Sequence, residues 1–202
     1  LRLIELCKPK VLVFLGDVKH TIAGVEMEEW RDIPDFFDAL CRKVSDIQVV
    51  PGNHDGNLEP LLPETVKILP STGIVFGNTG LFHGHAWPAP ELLGCRSLIT
   101  SHIHPMVTFR DLMGFRITRQ VWVKAACNGE RLAKSLLEHL GVKVNANPST
   151  LLRDQFNVRP RVSQLFIMPS FNDFLGGQSI NERTLGKGAK SRAFIGPVLR
   201  SG

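Results

Sequence analysis

Six of the seven histidines in this 202-residue chain follow short apolar runs, in loops of which the first two also carry Asp or Asn. Four such loops recur: Leu15-Gly16-Asp17-Val18-Lys19-His20, Val50-Pro51-Gly52-Asn53-His54-Asp55, Phe82-His83-Gly84-His85 and Thr100-Ser101-His102-Ile103-His104-Pro105. Imidazole nitrogens, carboxylates and an amide oxygen suit zinc, manganese or iron better than calcium. Any one loop is a weak signal. A lone histidine is usually an ordinary packed or surface residue, Gly-Asp is a common turn, and Asn53 or Asp55 is a good helix cap. The ordered set of four carries more weight, because ligands in open α/β sheets gather at the carboxyl ends of strands.

Those loops need strands to position them. Val11 to Leu15, bounded by Pro9 and Gly16, is a continuous apolar run of the kind that forms a buried strand. Residues 1–8 keep helical spacing and predict the end of a helix. After Pro34, the stripe Phe36, Phe37, Leu40, Cys41 and Val44 predicts an amphipathic helix, followed by a strand from Ile47 to Val50. This alternation argues for an α/β unit. Short strands are then expected at 66–69, 74–76, 81–82 and 98–100. A hairpin is expected from Met106 to Phe109 and Phe115 to Lys124, turning near Gly114. Glu130 to Leu140, which includes His139, predicts a helix stopped by Gly141, and Val162 to Met168 a last strand. Trp30, Trp87 and Trp122 are expected to be packing residues, with Trp87 a candidate wall beside His85. Phe171-Asn172-Asp173 is expected to form a turn beneath the site.

Composition narrows the class. At 43% hydrophobic and 21% charged residues the chain should build a packed core, and its length suits one domain. No apolar run approaches the roughly 18 residues of a membrane span, and the first residues do not read as a signal peptide. Cys7, Cys41, Cys95 and Cys127 form no Cys-x-x-Cys pair, so reduced thiols in a cytoplasmic protein are expected. Residues 1–105 hold 9 Lys and Arg against 13 Asp and Glu, while residues 106–202 hold 15 against 6. The net charge of +5 is therefore an acidic half beside a basic half, and the basic half could attract a polyanion.

Taken in order, Gly16-Asp17, Gly52-Asn53-His54-Asp55, His83-Gly84-His85 and His102-Ile103-His104 resemble the motifs of the calcineurin-like metallophosphoesterases. The last normally reads Gly-His-x-His, and Ser101 stands in place of that Gly. Leu15 to His20 and the stretch Pro169 to Gly177 look more narrowly like the archaeal-type subgroup related to DNA-repair nucleases and ligase-associated endonucleases. The resemblance runs from Val11 to about Asn181. It implies a four-layer α/β sandwich, two mixed β-sheets flanked by helices, over a single domain spanning 1–202. Residues 186–202 are expected to be a loosely ordered tail.

The resemblance also implies a site holding two divalent ions, manganese first, with zinc, iron or nickel as alternatives. Asp17 matches the carboxylate bridging both. Asn53, His83 and His102 match ligands of one ion, and His104 matches a ligand of the other. His54 matches the histidine that protonates the leaving oxygen, held by Asp55. His85 stands behind the ligands or faces substrate, and exchanges roles with His83 in an alternative assignment. His20 and Lys19 contact phosphate or are simply surface residues. The implied reaction is hydrolysis of a phosphate ester by a two-metal-activated hydroxide, with nucleic acid or nucleotides as substrate and no membrane partner.

One motif of the family is missing. Residues 1–16 contain neither Asp nor His, so the family's Asp-x-His on a first strand is absent. The chain is expected to lack that strand, which would precede Leu1. A natural one-metal relative, or ligands supplied from elsewhere, would also account for the gap. A catalytically weak metal- or nucleic-acid-binding module on the same scaffold is the alternative function.

Overall fold

In the computed structural model, residues 1–171 and 176–181 are described. The chain opens with a short helix α1 (Arg2–Cys7), none of whose residues is buried, and enters strand β1 (Val11–Leu15). Helix α2 (Met27–Cys41) follows, then β2 (Asp46–Val50) and β3 (Lys67–Ile68). These strands form a parallel three-stranded sheet in the order β1-β2-β3, with Leu15 registered against Val50. The register brings the loops carrying Asp17 and Asn53 out side by side. β1 is the edge of this sheet, and its residues are half-buried rather than buried as the apolar run suggests.

α2 begins well before Pro34, correcting the expected start. The Glu29 side chain reaches back to the Glu26 amide in a capping box, and Glu28 and Glu29 place negative charge in the first turn. Pro34 then removes one helical hydrogen bond without ending the helix. Its inner face contributes Ile33, Phe37 and Leu40 to a core shared with Val44, Ile47, Val49, Leu58, Leu61 and Val66.

The second sheet has five strands, ordered β4-β5-β6-β10-β9: β4 (Ile74–Phe76), β5 (Thr79–Leu81), β6 (Ser97–Thr100), β9 (Val123–Ala126) and β10 (Gln164–Ile167). β5, β6 and β10 run parallel, while β4 and β9 are antiparallel to their neighbours. Helices α3 (Gly129–His139) and α4 (Pro148–Phe156) pack on it through Leu132, Leu136, Leu137 and Leu152, together with Phe82, Leu98, Leu165 and Ile167. α4 was not expected, although Asn147 caps it, Pro148 occupies its first turn and Asn157 closes it in the left-handed conformation.

The expected strand from Phe115 to Lys124 is two strands. β8 (Arg116–Gln120) pairs with β7 (Met106–Arg110) in a separate hairpin; the chain then breaks and β9 joins the five-stranded sheet. Period-two alternation continues across the break, so the pattern alone does not mark it. The architecture is a mixed α/β fold whose sheets are flanked by helices, as the resemblance implies. Within it the first sheet is wholly parallel, and the hairpin stands apart. Trp30 and Trp122 are exposed rather than packed. Phe171 is exposed as well, while Asn172, Asp173 and the tail from 186 lie outside the described residues. Among the described residues no helix is long and apolar enough to cross a membrane.

Candidate metal centre

The four loops converge because both sheets point the carboxyl ends of parallel strands at one place. Contact between the sheets is direct: the Leu15 carbonyl, at the end of β1, accepts from His83 Nδ1 at 2.7 Å and from the Ser101 hydroxyl at 2.5 Å. Glycine makes this approach feasible. A Cβ on Gly16 would lie 2.5 Å from His83 Nδ1, and one on Gly52 would collide with the Asp17 carboxylate. Gly16 also sits at φ 79°, a conformation other residues rarely adopt. Two of the expected ligands, Asp17 and His104, are themselves non-glycine residues at positive φ, 53° and 44°. Such backbone is kept only where surrounding contacts hold it.

Asp17, His83 and His102 form a cluster whose ligand atoms all lie within 4.8 Å of one another. His83 is completely buried. Because the Leu15 carbonyl can only accept, His83 Nδ1 carries a hydrogen and Nε2 faces the cluster. That Nε2 lies 3.1 Å from His102 Nδ1 and 3.3 Å from Asp17 Oδ2. Ser101 joins this arrangement, its hydroxyl 3.1 Å from His83 Nδ1. The residue standing where the family has Gly thus tethers the ring through the same carbonyl. A carbonyl fixing the tautomer of a ligating imidazole is what metal histidines require.

The charge states suit a cation. Burial raises the Asp17 carboxyl, but the hydrogen bond and charge of His83, with the His54 amide, outweigh it and bring it down to about 2. Burial, reinforced by the charge of His83, lowers His102 to about 4. Burial also depresses His85 and His104. At neutral pH the site therefore offers an ionised carboxylate at Asp17 and a neutral imidazole at His102, the forms that bind metal. Asn53 Oδ1 and His85 Nδ1 are buried with no hydrogen-bond partner among the described residues. An orphaned amide oxygen beside an anionic cluster is an acceptor without a donor, and a divalent cation would satisfy it. The residues present fit one.

The remaining expected residues divide. His104 lies close enough to feel the charges of Asp17 and His54, and its loop is backed by the Gln178 amide on the Ile103 carbonyl at 3.0 Å. The His85 ring sits 5.3 Å from that of His83 and 6.2 Å from that of His102. His54 and His20 pair with ring centroids 6.5 Å apart, and His54 Nδ1 donates to the His20 carbonyl at 2.5 Å.

Two expectations are corrected. Asp55 does not hold the His54 ring: it is buried, accepting the Val18 and Lys19 amides on Oδ1 (2.8 and 3.1 Å) and the Gly52 amide on Oδ2 at 2.7 Å. Its carboxylate staples the β1 loop to the β2 loop. Lys19 is neither a surface residue nor directed at phosphate. It is buried, and its ammonium donates to the carbonyls of Thr21 and Gly24. Trp87 packs against the core, as expected, and stacks on His139 of α3, with centroids 4.5 Å apart and planes 11° from parallel.

Glu29 was not expected at all. Its carboxylate accepts the His20 and Thr21 amides at 2.8 and 2.9 Å, so a helix-capping residue also anchors a site loop. The Glu26 and Glu29 spacing before an apolar stripe is the signal that could have placed it.

No curated protein matches the chain. Among solved structures it is similar to the Pseudomonas putida nuclease MPE, at 16% identity and a TM-score of 0.46. That similarity covers 88% of this chain and 66% of the other, so the chain spans just under two thirds of its neighbour's length. The family described as calcineurin-like phosphoesterase matches residues 1–159, a stretch that contains all four loops, and the chain belongs to that family.

Proposed function

We propose that this chain hydrolyses phosphate esters with divalent metal, that phosphodiesters are its substrates, and that nucleic acid or nucleotides supply them. The convergence of Asp17, His83 and His102 at the strand ends carries this reading. Asp17, Asn53, His83 and His102 would hold one ion, and Asp17 and His104 would contribute to a second, with manganese the first candidate. Ions bound there supply Lewis-acid stabilisation of the phosphoryl group and activate water.

The chain's own groups do the rest. Asp17 stays ionised and would be a ligand to the metal. The Leu15 carbonyl and Ser101 hold His83 with Nε2 facing the cluster. His54 uses Nδ1–H on the His20 carbonyl, which leaves Nε2 to deliver a proton to the departing oxygen. Asp55 contributes by fixing the loop beneath rather than by touching the ring. His85 lines the site next to His83 and His102.

Two features favour a polyanionic substrate: the basic half of the sequence, and the hairpin β7–β8, which begins just after His104. That hairpin exposes Phe109, Phe115 and Ile117, and it also bears Arg119. Aromatic surface beside cationic side chains suits bases on a phosphate backbone.

The test is hydrolysis of bis-p-nitrophenyl phosphate with manganese, comparing the wild type with Asp17→Asn and His54→Ala. Metal-dependent turnover that falls by about 100-fold or more in both variants is expected. No turnover, or turnover indifferent to both substitutions, overturns the reading. Metal binding without turnover would favour the binding module instead.

A further inference from the structure

The proton donor proposed above, His54, is aligned by a main-chain carbonyl rather than by the neighbouring carboxylate. Its Nδ1 donates to the His20 carbonyl, so that carbonyl's direction decides where the ring points and which nitrogen faces the site. Yet His20 lies in the stretch between β1 and α2, where neither strand nor helix fixes the backbone.

Side chains fix it instead. Four successive amides are divided between two carboxylates: Asp55 takes Val18 and Lys19, and Glu29 takes His20 and Thr21. The Lys19 ammonium closes the far side of the loop on the Thr21 and Gly24 carbonyls. The Thr21 N–H and the His20 C=O belong to one planar trans peptide and point in opposite directions. When Glu29 Oε1 holds that N–H at 2.9 Å, it also aims the C=O. The other oxygen, Oε2, accepts the Glu26 amide at 3.0 Å and ties the carboxylate to the start of α2. The first turn of a helix thus serves as a rigid mount for a loop that has no regular structure.

We propose that Glu29 is a positioning residue for His54: by gripping the Thr21 amide it turns the His20 carbonyl onto Nδ1 and presents Nε2 to the leaving oxygen. This rests on the reading of His54 as the proton donor. The effect on catalysis must then depend on how much the leaving group needs a proton, whereas a residue that merely stabilises the fold affects all esters alike.

The experiment compares methyl p-nitrophenyl phosphate with methyl phenyl phosphate, whose poorer leaving group depends more on protonation. Glu29→Ala is expected to cost about threefold or less on the nitrophenyl ester and about tenfold or more on the phenyl ester, with unchanged metal content. Glu29→Gln, which keeps an acceptor for the Thr21 amide, recovers most of the phenyl activity. Equal losses on the two esters, or none, overturn the proposal.

A second readout needs no turnover. Nitrogen NMR of the neutral His54 ring in the metal-free protein should show the Nδ1–H tautomer in the wild type and a mixture in Glu29→Ala; an unchanged ring overturns the proposal. If the wild type hydrolyses neither ester, the reading of His54 falls, and the ring spectrum alone decides whether Glu29 aims it. Should Glu29→Ala not fold, Glu29→Asp, one methylene short of the amides, takes its place with the same expected pattern.

Discussion

The loops after β1 and β2 each carry an aspartate a few residues beyond strands paired in register, and the two side chains meet different surroundings. Asp55 is buried against three backbone amides, two from the opposite loop and one from its own. Among the described residues Asp17 accepts a single amide, from His54, and its second oxygen lies 3.3 Å from His83 Nε2, with His102 in the same cluster. A carboxylate saturated by amides is a structural clamp; one left short of donors and facing imidazoles is available to a cation. The same residue type, in the same kind of loop, is sorted by how many N–H groups reach it.

Exchanging each for alanine in the metal-free protein should expose that division most strongly. Asp55→Ala orphans three amides and is expected to cost about 4 kcal/mol in urea unfolding, against about 1 kcal/mol for Asp17→Ala. If Asp17 proved the costlier loss, the roles would be reversed.

A smaller effect is expected from the gap between the loops. Gly52→Ala drives a Cβ into the Asp17 carboxylate and should weaken metal binding by about tenfold, seen by calorimetric titration with manganese. Gly56→Ala in the same loop meets little beyond the Ile22 carbonyl, 3.7 Å from the added Cβ, and should leave binding unchanged.

The smallest effect is on acid stability. His102 and Asp17 both titrate lower in the folded chain than in the unfolded one, so the unfolded state binds more protons as pH falls. The metal-free protein should lose a few degrees of melting temperature between pH 6.5 and 4 through His102, and more below 3.8 through Asp17. Replacing His102 by Gln should flatten the upper part of that curve.

The site's outline was legible in the sequence because metal donors and strand ends are both local signals. Asp17, His83 and His102 could be brought together once the apolar runs were read as strands. The parts that escaped are those decided by geometry across the chain. Whether Asp55 faces His54 or the amides of another loop depends on how closely β1 and β2 approach, which Gly16 and Gly52 permit but do not announce. Lys19 was misplaced because a charged residue in a polar loop carries no mark of burial. The break between β8 and β9 was hidden because alternation persists while the pairing partner changes. α2 began earlier than expected because a proline was read as a boundary where a capping box had already started the helix. α4 had its Asn-Pro start and Asn stop in plain view, but only a modest apolar stripe between them.

The central claim is that Asp17, His83 and His102 hold a divalent cation. Calorimetric titration of the metal-stripped protein with manganese, alongside Asp17→Asn, tests it most directly. Saturable binding by the wild type is expected, with an affinity about 100-fold weaker in Asp17→Asn and the melting temperature of the metal-free protein little changed. Equal affinities in the two proteins, or no binding by the wild type, would contradict it.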